Sequence, residues 1–244
     1  MDNNTAQSII NKTRQDYDTI AEHFSNTRFK EWSEFNEFLK YLKPNANVLD
    51  LGCGNGRLLH FLKGQKITYT GLDISPKLIN FAYKLAKPDN LPPYRFLRSD
   101  FTRIPFGNQE FDVVFAIASI YHIPSKGLRL AVVSEISRVL KRDGIFIMTY
   151  WNMWHPQRIK LVLRNILKKI VGKSKYDFYD AERPWKNSKG ETMVRRYCHA
   201  FTLREVKKLL WASGFRILEK YYSQKEKRVK FWNGFNGVII AQRL

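Results

Sequence analysis

The chain has 244 residues, 44% of them hydrophobic and 14% aromatic, enough for a sizeable core and unlike a disordered or fibrous chain. Lys and Arg number 42 against 22 Asp and Glu, a net charge of +20, so the molecule carries a long-range field that attracts polyanions, nucleic acid first among them. It has no uncharged apolar run of the roughly 20 residues that cross a bilayer and no basic-then-apolar leader, and its two cysteines, Cys53 and Cys198, lack metal-ligand spacing; the expectation is a cytoplasmic protein with reduced thiols, no metal centre and no stable membrane insertion.

In chain order, residues 1–43 read as a helical segment. Tyr17, Ile20, Phe24, Trp32, Phe35, Phe38 and Leu39 recur at a loose helical spacing that breaks near Ser25 to Phe29, which predicts two short helices. Residues 47–51 predict a buried strand, followed by three glycines and the start of a helix at 57–62. Residues 67–73 predict a second strand, Ser75 caps a helix to about residue 87, and 94–99 form a third strand. Residues 111–118 are apolar after Asp112, as a strand covered on both faces requires. A helix over 126–140 and the turn Asp143-Gly144 lead into a fifth strand at 145–150. Thr202-Leu203-Arg204-Glu205 is a capping box opening a helix that runs to Gly214, and strands near 215–222 and 237–242 are close enough to pair as a hairpin. Alternating strands and helices imply crossovers and a parallel sheet. The expected fold class is α/β: a doubly wound, Rossmann-like, seven-stranded sheet, mostly parallel with a terminal antiparallel hairpin, in one domain spanning 1–244.

The stretch V-L-D-L-G-C-G-N-G, residues 48–56, puts an acid and three glycines where the first strand of such a sheet turns into a helix, the usual ligand position. Gly52, Gly54 and Gly56 are spaced G-x-G-x-G, one residue short of the dinucleotide fingerprint. Asp50 would repel a pyrophosphate but would tolerate a cationic amino-acid ligand. Asp73, closing the second strand in T-G-L-D, suits the two hydroxyls of a ribose, and Asp100 after the third strand suits an adenine amino group, with Phe101 as apolar surface. The pattern D-x-G-x-G-x-G, then L-D, then S-D resembles the class I S-adenosylmethionine-dependent methyltransferases, which implies S-adenosyl-L-methionine as cofactor. Asp50, Gly52, Gly54, Asn55, Gly56, Asp73, Ile74, Asp100, Phe101 and Ala118 form the expected cofactor-binding set.

Two further stretches, Y-D-T-I-A-E-H-F-S-N-T-R at 17–28 and R-R-Y-C-H-A-F at 195–201, are similar to the tRNA wobble carboxymethyluridine methyltransferases, a family that includes the methyltransferase domain fused to an AlkB-type oxygenase. Tyr17, Ile20, Ala21, His23, Phe24, Ser25, Thr27 and Arg28 match the first motif; Arg196, Tyr197, His199 and Phe201 match the second. I-A-S-I-Y-H, residues 117–122, resembles the segment after the family's fourth strand, with His122 at its second histidine. Tyr121 and Cys198 depart from the family's histidine and tyrosine. The resemblance implies methyl transfer to the carboxymethyl group of a modified wobble uridine in tRNA, with a small zinc-binding activator subunit in eukaryotic members. A carboxylate acceptor is already ionised and needs no general base, only alignment and desolvation. Arg28 and Arg196 are therefore expected to present guanidinium forks, and His122 and His199 to orient the acceptor; a phenol, amine or ring-nitrogen acceptor would instead need a histidine base. A methyltransferase of small metabolites or quinone precursors, and a nucleic-acid-binding module that has lost its chemistry, are the other classes open to this sequence.

Residues 152–197 form a long basic insert or lid before the second motif. Residues 158–175 hold seven Lys or Arg, Arg158 and Lys175 among them, and no carboxylate, while Ile159, Leu163, Ile166 and Ile170 fall on one helical face. Such a helix fits contact with tRNA phosphates, a membrane surface, or docking on the sheet with its charges solvated.

Overall fold

Five parallel strands, β1 (Ala46–Leu51), β2 (Ile67–Asp73), β3 (Tyr94–Arg98), β4 (Phe111–Ile117) and β5 (Leu140–Trp151), build one half of the main sheet in the computed structural model. The structure describes residues 1–28, 33–87, 90–225 and 227–244. The strand order is β3-β2-β1-β4-β5, continued by the C-terminal strands β10 (Asn236–Arg243), β8 (Phe215–Gln224) and the short β9 (Lys227–Val229). β10 runs antiparallel to both β5 and β8. The sheet is thus the expected mostly parallel, Rossmann-like one, with β9 as an eighth strand at its edge.

Three helices return the chain between parallel strands: α2 (Arg57–Phe61), α3 (Pro76–Leu85) and α4 (Lys126–Val139). Ser75 and Ser125 start α3 and α4 by accepting from the backbone N–H of Leu78 and Leu128, donors that the first helical turn would otherwise leave unpaired. Apolar residues cover both faces of the sheet. Leu49, Leu51, Val114, Phe146 and Met148 lie in one cluster and Val48, Tyr69, Phe115, Ile147 and Ile240 in the other, as strand alternation requires. Asp143-Gly144 does not end a strand: Asp143, at φ 61°, lies inside β5, and the β4–β5 register slips beside it, so the expected turn is absorbed as a bulge.

The N-terminal segment differs from expectation. Instead of two short helices after residue 16, one helix, α1 (Asn3–Thr27), starts at an Asp2 cap, followed by a 3-10 helix over Ser33–Tyr41. Its early turns carry few large apolar residues, but Ala6, Ile9, Ile10, Thr13, Ile20 and Ala21 are buried at helical spacing because α1 packs beneath a second, small sheet. Phe29 and Trp32 lie outside the described residues.

That small sheet comes from the insert, whose helix α5 (Ile159–Ile170) leads into the antiparallel pair β6 (Asp180–Lys186) and β7 (Thr192–His199). α5 is helical as expected but turned from its expected face. Val162 and Asn165 are its buried residues, whereas Leu163 and Ile170 are 46% and 66% exposed. Asn165 sets this rotation by donating to the Asp177 carbonyl and accepting from the Ser174 hydroxyl. α6 (Leu203–Ala212) begins where the Thr202 hydroxyl accepts from the Glu205 N–H. The Glu205 side chain, expected to complete a capping box, is instead drawn to His199 and Arg129. Among the described residues, no helix is long and apolar enough to cross a membrane.

Candidate active site

Strand order reverses between β1 and β4, and the carboxyl ends of these strands open into a cleft of about 980 Å³ roofed by α1 and the β6–β7 sheet. Its floor is the glycine turn. Gly52, Gly54 and Gly56 all have positive φ, and at Gly52 a Cβ would stand 2.5 Å from Ser119 Cβ, so a side chain there is excluded on both counts.

Asp73 organises this floor: one carboxylate oxygen accepts from the Gly54 N–H and the other from the Ser75 N–H, both at 2.9 Å. The Ser75 hydroxyl donates to Asp18 of α1 at 2.6 Å, tying the roof to the floor. Asp50 accepts from the Tyr69 hydroxyl at 2.6 Å through one oxygen, while its other oxygen is buried without a hydrogen-bond partner. Burial pushes Asp50 up to about 7, against the Tyr69 bond and with help from Asp73; burial also raises Asp73, to about 6. An orphaned, partly protonated carboxyl fits a ligand that brings a cation to it.

Asp50, Gly52, Gly54, Asn55, Asp73, Ile74, Asp100, Phe101 and Ala118 all line this cleft; Gly56 does not, and serves as the left-handed residue opening α2. Of the acceptor-side residues, Arg28, His122 and Arg196 line it and His199 does not.

His122, buried just after β4, brings its Nδ1 to the Tyr197 carbonyl at 2.5 Å and its Nε2 to the Tyr17 hydroxyl at 2.8 Å. A carbonyl only accepts, so Nδ1 carries the proton and Nε2 accepts from Tyr17. Burial, reinforced by Arg196, lowers His122 to about 3, which keeps the ring neutral and makes it a feeble base. Arg196 donates to the Tyr17 hydroxyl at 3.3 Å.

His199 sits at the other side of β7. Its Nδ1 meets Asp180 at 2.8 Å and its Nε2 meets Glu205 at 2.9 Å, and Glu205 also pairs with the buried Arg129 at 3.2 Å. This cluster joins β6, β7, α4 and α6 beneath the roof. Burial alone would raise Glu205, but the bonds to His199 and Arg129 carry it below the ordinary carboxylate range.

The structure adds residues that spacing did not single out. Arg183 and Trp185 of β6, Trp151 at the end of β5 and Phe235 line the acceptor side, and Arg158, expected only as the first cation of the basic helix, enters the same cleft. The guanidinium carbon of Arg28 lies 5.0 Å from the Trp185 ring centre, that of Arg183 lies 4.2 Å from Trp151, and that of Arg158 lies 5.0 Å from Phe235. Arg196 reaches Trp151 and Trp185 at 4.9 and 4.7 Å. The only signal in the sequence was the interleaving of arginine with aromatic residues in Arg183-Pro184-Trp185, a composition typical of nucleotide surfaces. Among the described residues, none of the four arginines forms an ion pair. Desolvation and mutual repulsion lower Arg28, Arg183 and Arg158, the last to about 10. The cleft therefore has an acidic floor and a strongly cationic, aromatic far side.

A family model described as a methyltransferase domain matches residues 42–218. A tRNA (carboxymethyluridine(34)-5-O)-methyltransferase of Schizosaccharomyces pombe is 29% identical over 86% of this chain and 91% of its own length. A protein of Encephalitozoon cuniculi named as a methyltransferase is 30% identical over 83% of this chain and 86% of its own length. The Arabidopsis thaliana tRNA (carboxymethyluridine(34)-5-O)-methyltransferase is 32% identical over 55% of this chain, and the match spans 31% of that longer protein. Among solved structures, a SAM-dependent methyltransferase of Methanosarcina mazei superposes with a TM-score of 0.70 at 24% identity, covering 85% of this chain and 97% of that one. A Haloferax volcanii methyltransferase in complex with the Trm112 activator superposes at 0.65 with 17% identity, covering 94% and 96%. With the glycine turn, Asp73 and the strand reversal in place, the chain belongs to the methyltransferase-domain family and is an enzyme of that class.

Proposed function

We propose that this enzyme uses S-adenosylmethionine to esterify the carboxylate of a carboxymethyluridine at the wobble position of tRNA. The observation that carries the acceptor's chemistry is the pairing of four arginines, none in an ion pair among the described residues, with a histidine too weakly basic to remove a proton. An acceptor such as a phenol or amine would need a base; His122 is neutral and engaged by Tyr17, and the Nδ1 of His23, the other imidazole of the lining, accepts from Trp185, whereas an ionised carboxylate needs only to be gripped and stripped of water. The near-full-length likeness to the fission yeast tRNA methyltransferase, the net charge of +20 and the aromatic lining favour a modified nucleoside within tRNA over a free metabolite.

The chain's own residues fit the cofactor. Asp73 is fixed by two backbone N–H groups and retains lone pairs for ribose hydroxyls, the unpartnered oxygen of Asp50 suits the ammonium group, and Asp100 with Phe101 suits the adenine. When bound, the cofactor supplies an electrophilic methyl group. Arg28 and Arg196 hold the acceptor carboxylate by guanidinium forks, Tyr17 keeps Arg196 in place, and His122 locks Tyr17. His199 works as a positioning residue, anchoring β7 through Asp180 and Glu205 so that Arg196 faces the cleft.

Two surfaces serve partners in this reading. Lys160, Arg164 and Lys168, on the solvent side of α5, meet tRNA phosphates. β3 is an open sheet edge with Tyr94 and Leu97 exposed and Tyr83 and Leu85 of α3 beside them, a surface that fits an activator subunit of the kind bound by the Haloferax protein. The test is mass spectrometry of tRNA nucleosides from cells with and without the protein. Loss of a single methyl ester at the wobble uridine is expected; an unchanged nucleoside profile would overturn the tRNA reading.

A further inference from the structure

The cross-strand register of the small sheet sets Arg183 directly opposite Arg196. Like charges opposed on an antiparallel pair repel, and here both guanidinium groups lie against one ring, Trp151, at 4.2 and 4.9 Å. The repulsion continues on either side: beyond the larger effect of burial, Arg28 is depressed by Arg196, Arg183 by Arg196 and Arg28, and Arg158 by Arg183. The four cations form a row that begins near the glycine turn, where the Asn55 amide donates to the Arg28 carbonyl at 3.4 Å. It ends at Arg158, which stands just before α5, donates to the Phe235 carbonyl at 2.8 Å and leads into the basic face of that helix. The acids lining the cleft, Asp50, Asp73 and Asp100, belong to the opposite end.

A single carboxylate carries one charge and two acceptor oxygens, which one pair of guanidinium forks saturates. Arg183 and Arg158 remain. Arg196 is 3% exposed with its Nε buried and unpartnered, whereas Arg183 and Arg158 are only half-buried, and Arg158 opens onto α5. We infer that Arg183 and Arg158 form a second anion subsite that grips the backbone phosphate next to the acceptor nucleoside, so that the enzyme takes its substrate as a nucleotide within a chain and leads the strand out along α5. This inference rests on the proposed carboxylate acceptor at Arg28 and Arg196. It adds that recognition fails without a charged phosphodiester at one particular linkage.

The test is fluorescence-anisotropy binding of a short single-stranded oligoribonucleotide with 5-carboxymethyluridine at its centre, in the presence of S-adenosylhomocysteine. It is made with natural linkages and with one neutral methylphosphonate placed on either side of the modified nucleoside. Wild type is expected to lose about 10-fold in affinity for a methylphosphonate on one side and little on the other. Arg183→Gln and Arg158→Gln are each expected to lose about 10-fold for the natural strand, with the slope of log K against log salt reduced by about 0.7. They are expected to show a smaller loss than wild type with the sensitive methylphosphonate, because part of the same contact is already gone. Arg183→Lys keeps the charge without the fork, and is expected to retain the salt slope and lose part of the affinity. It also serves where the glutamine variant fails to melt cooperatively. Multiplicative losses of about 100-fold, or equal tolerance of methylphosphonate at both linkages, would overturn the subsite. If plain uridine binds as tightly as carboxymethyluridine while the linkage effect persists, the carboxylate reading falls and the phosphate contact stands. If the carboxymethyl group matters and neither linkage does, the converse holds.

Discussion

Acidification acts first on the floor of the cleft. Asp50 and Asp73 are pushed up by burial to about 7 and about 6, and both must be ionised to hold the cofactor, Asp50 facing a cation and Asp73 accepting hydroxyl protons. With each ionisation required, the dissociation constant for S-adenosylhomocysteine scales as the product of two titrations, which gives a ceiling of about 1,000-fold weakening between about pH 8 and pH 5. Titration calorimetry in buffers of matched ionic strength reads this directly. Asp50→Asn removes the upper limb and leaves about 10-fold over the same interval. Unliganded stability runs the other way. Both carboxyls titrate higher in the folded chain than at the unfolded value of about 3.9, so the folded state binds more protons between about pH 4 and pH 7. The contribution of these two carboxyls to unliganded stability therefore falls as pH rises through that window and then levels, while His122, at about 3 against an unfolded value of about 6.5, works the other way between those values. An affinity that stays flat from pH 8 to pH 5, or an Asp50→Asn variant whose unliganded melting temperature varies with pH just as the wild type's does, would refute the assignment of these two carboxyls.

Gly52→Ala forces a side chain at φ 83° and 2.5 Å from Ser119 Cβ, and is expected to weaken S-adenosylhomocysteine binding by at least about 10-fold, read by calorimetry. Glu205→Gln removes a charged partner from both His199 and Arg129 and is expected to cost about 2 kcal/mol in urea unfolding. Because Glu205 lies below its unfolded value, its contribution in the wild type is present above about pH 4.3 and fades as pH falls through the folded value, so the variant's deficit narrows in acid. At saturating cofactor, kcat is expected to stay level from about pH 6 to pH 9, because His122 at about 3 is neutral throughout and the acceptor is already ionised. A rising limb near the ordinary histidine value would show a proton transfer that the proposed chemistry does not contain.

Local pattern carried the cofactor side of the site. Asp50 and Asp73 stand at the ends of β1 and β2 and Asp100 just after β3, and once strands alternate with helices those ends converge at one place. The far side is built by tertiary contacts that no short spacing encodes. Arg183, Trp185 and Arg158 come from an insert that reads as a basic lid, and they meet Trp151 only because β6 pairs with β7 and the pair lies over α1. His199 illustrates the limit of motif matching. Arg196 and His199 are three residues apart on one strand, so alternation sends them to opposite faces, and only Arg196 reaches the cleft. Composition likewise does not tell a paired cation from a free one: Arg228 of β9 is bound at 2.6 and 2.7 Å by Glu37 and Glu219. At α5 the periodic apolar residues misled for a related reason: a buried asparagine with two bonds fixed the rotation of the helix, and hydrophobic spacing cannot register that.

Ester formation on tRNA is tested most directly by incubating the purified protein, with a matched activator subunit where one is required, with isotope-labelled S-adenosylmethionine and tRNA carrying carboxymethyluridine at the wobble position. The predicted result is one labelled methyl per tRNA in a nucleoside that mild alkali returns to the free acid. A label that survives alkali, on the base or the ribose, would contradict the carboxylate acceptor and the role given to the arginine row.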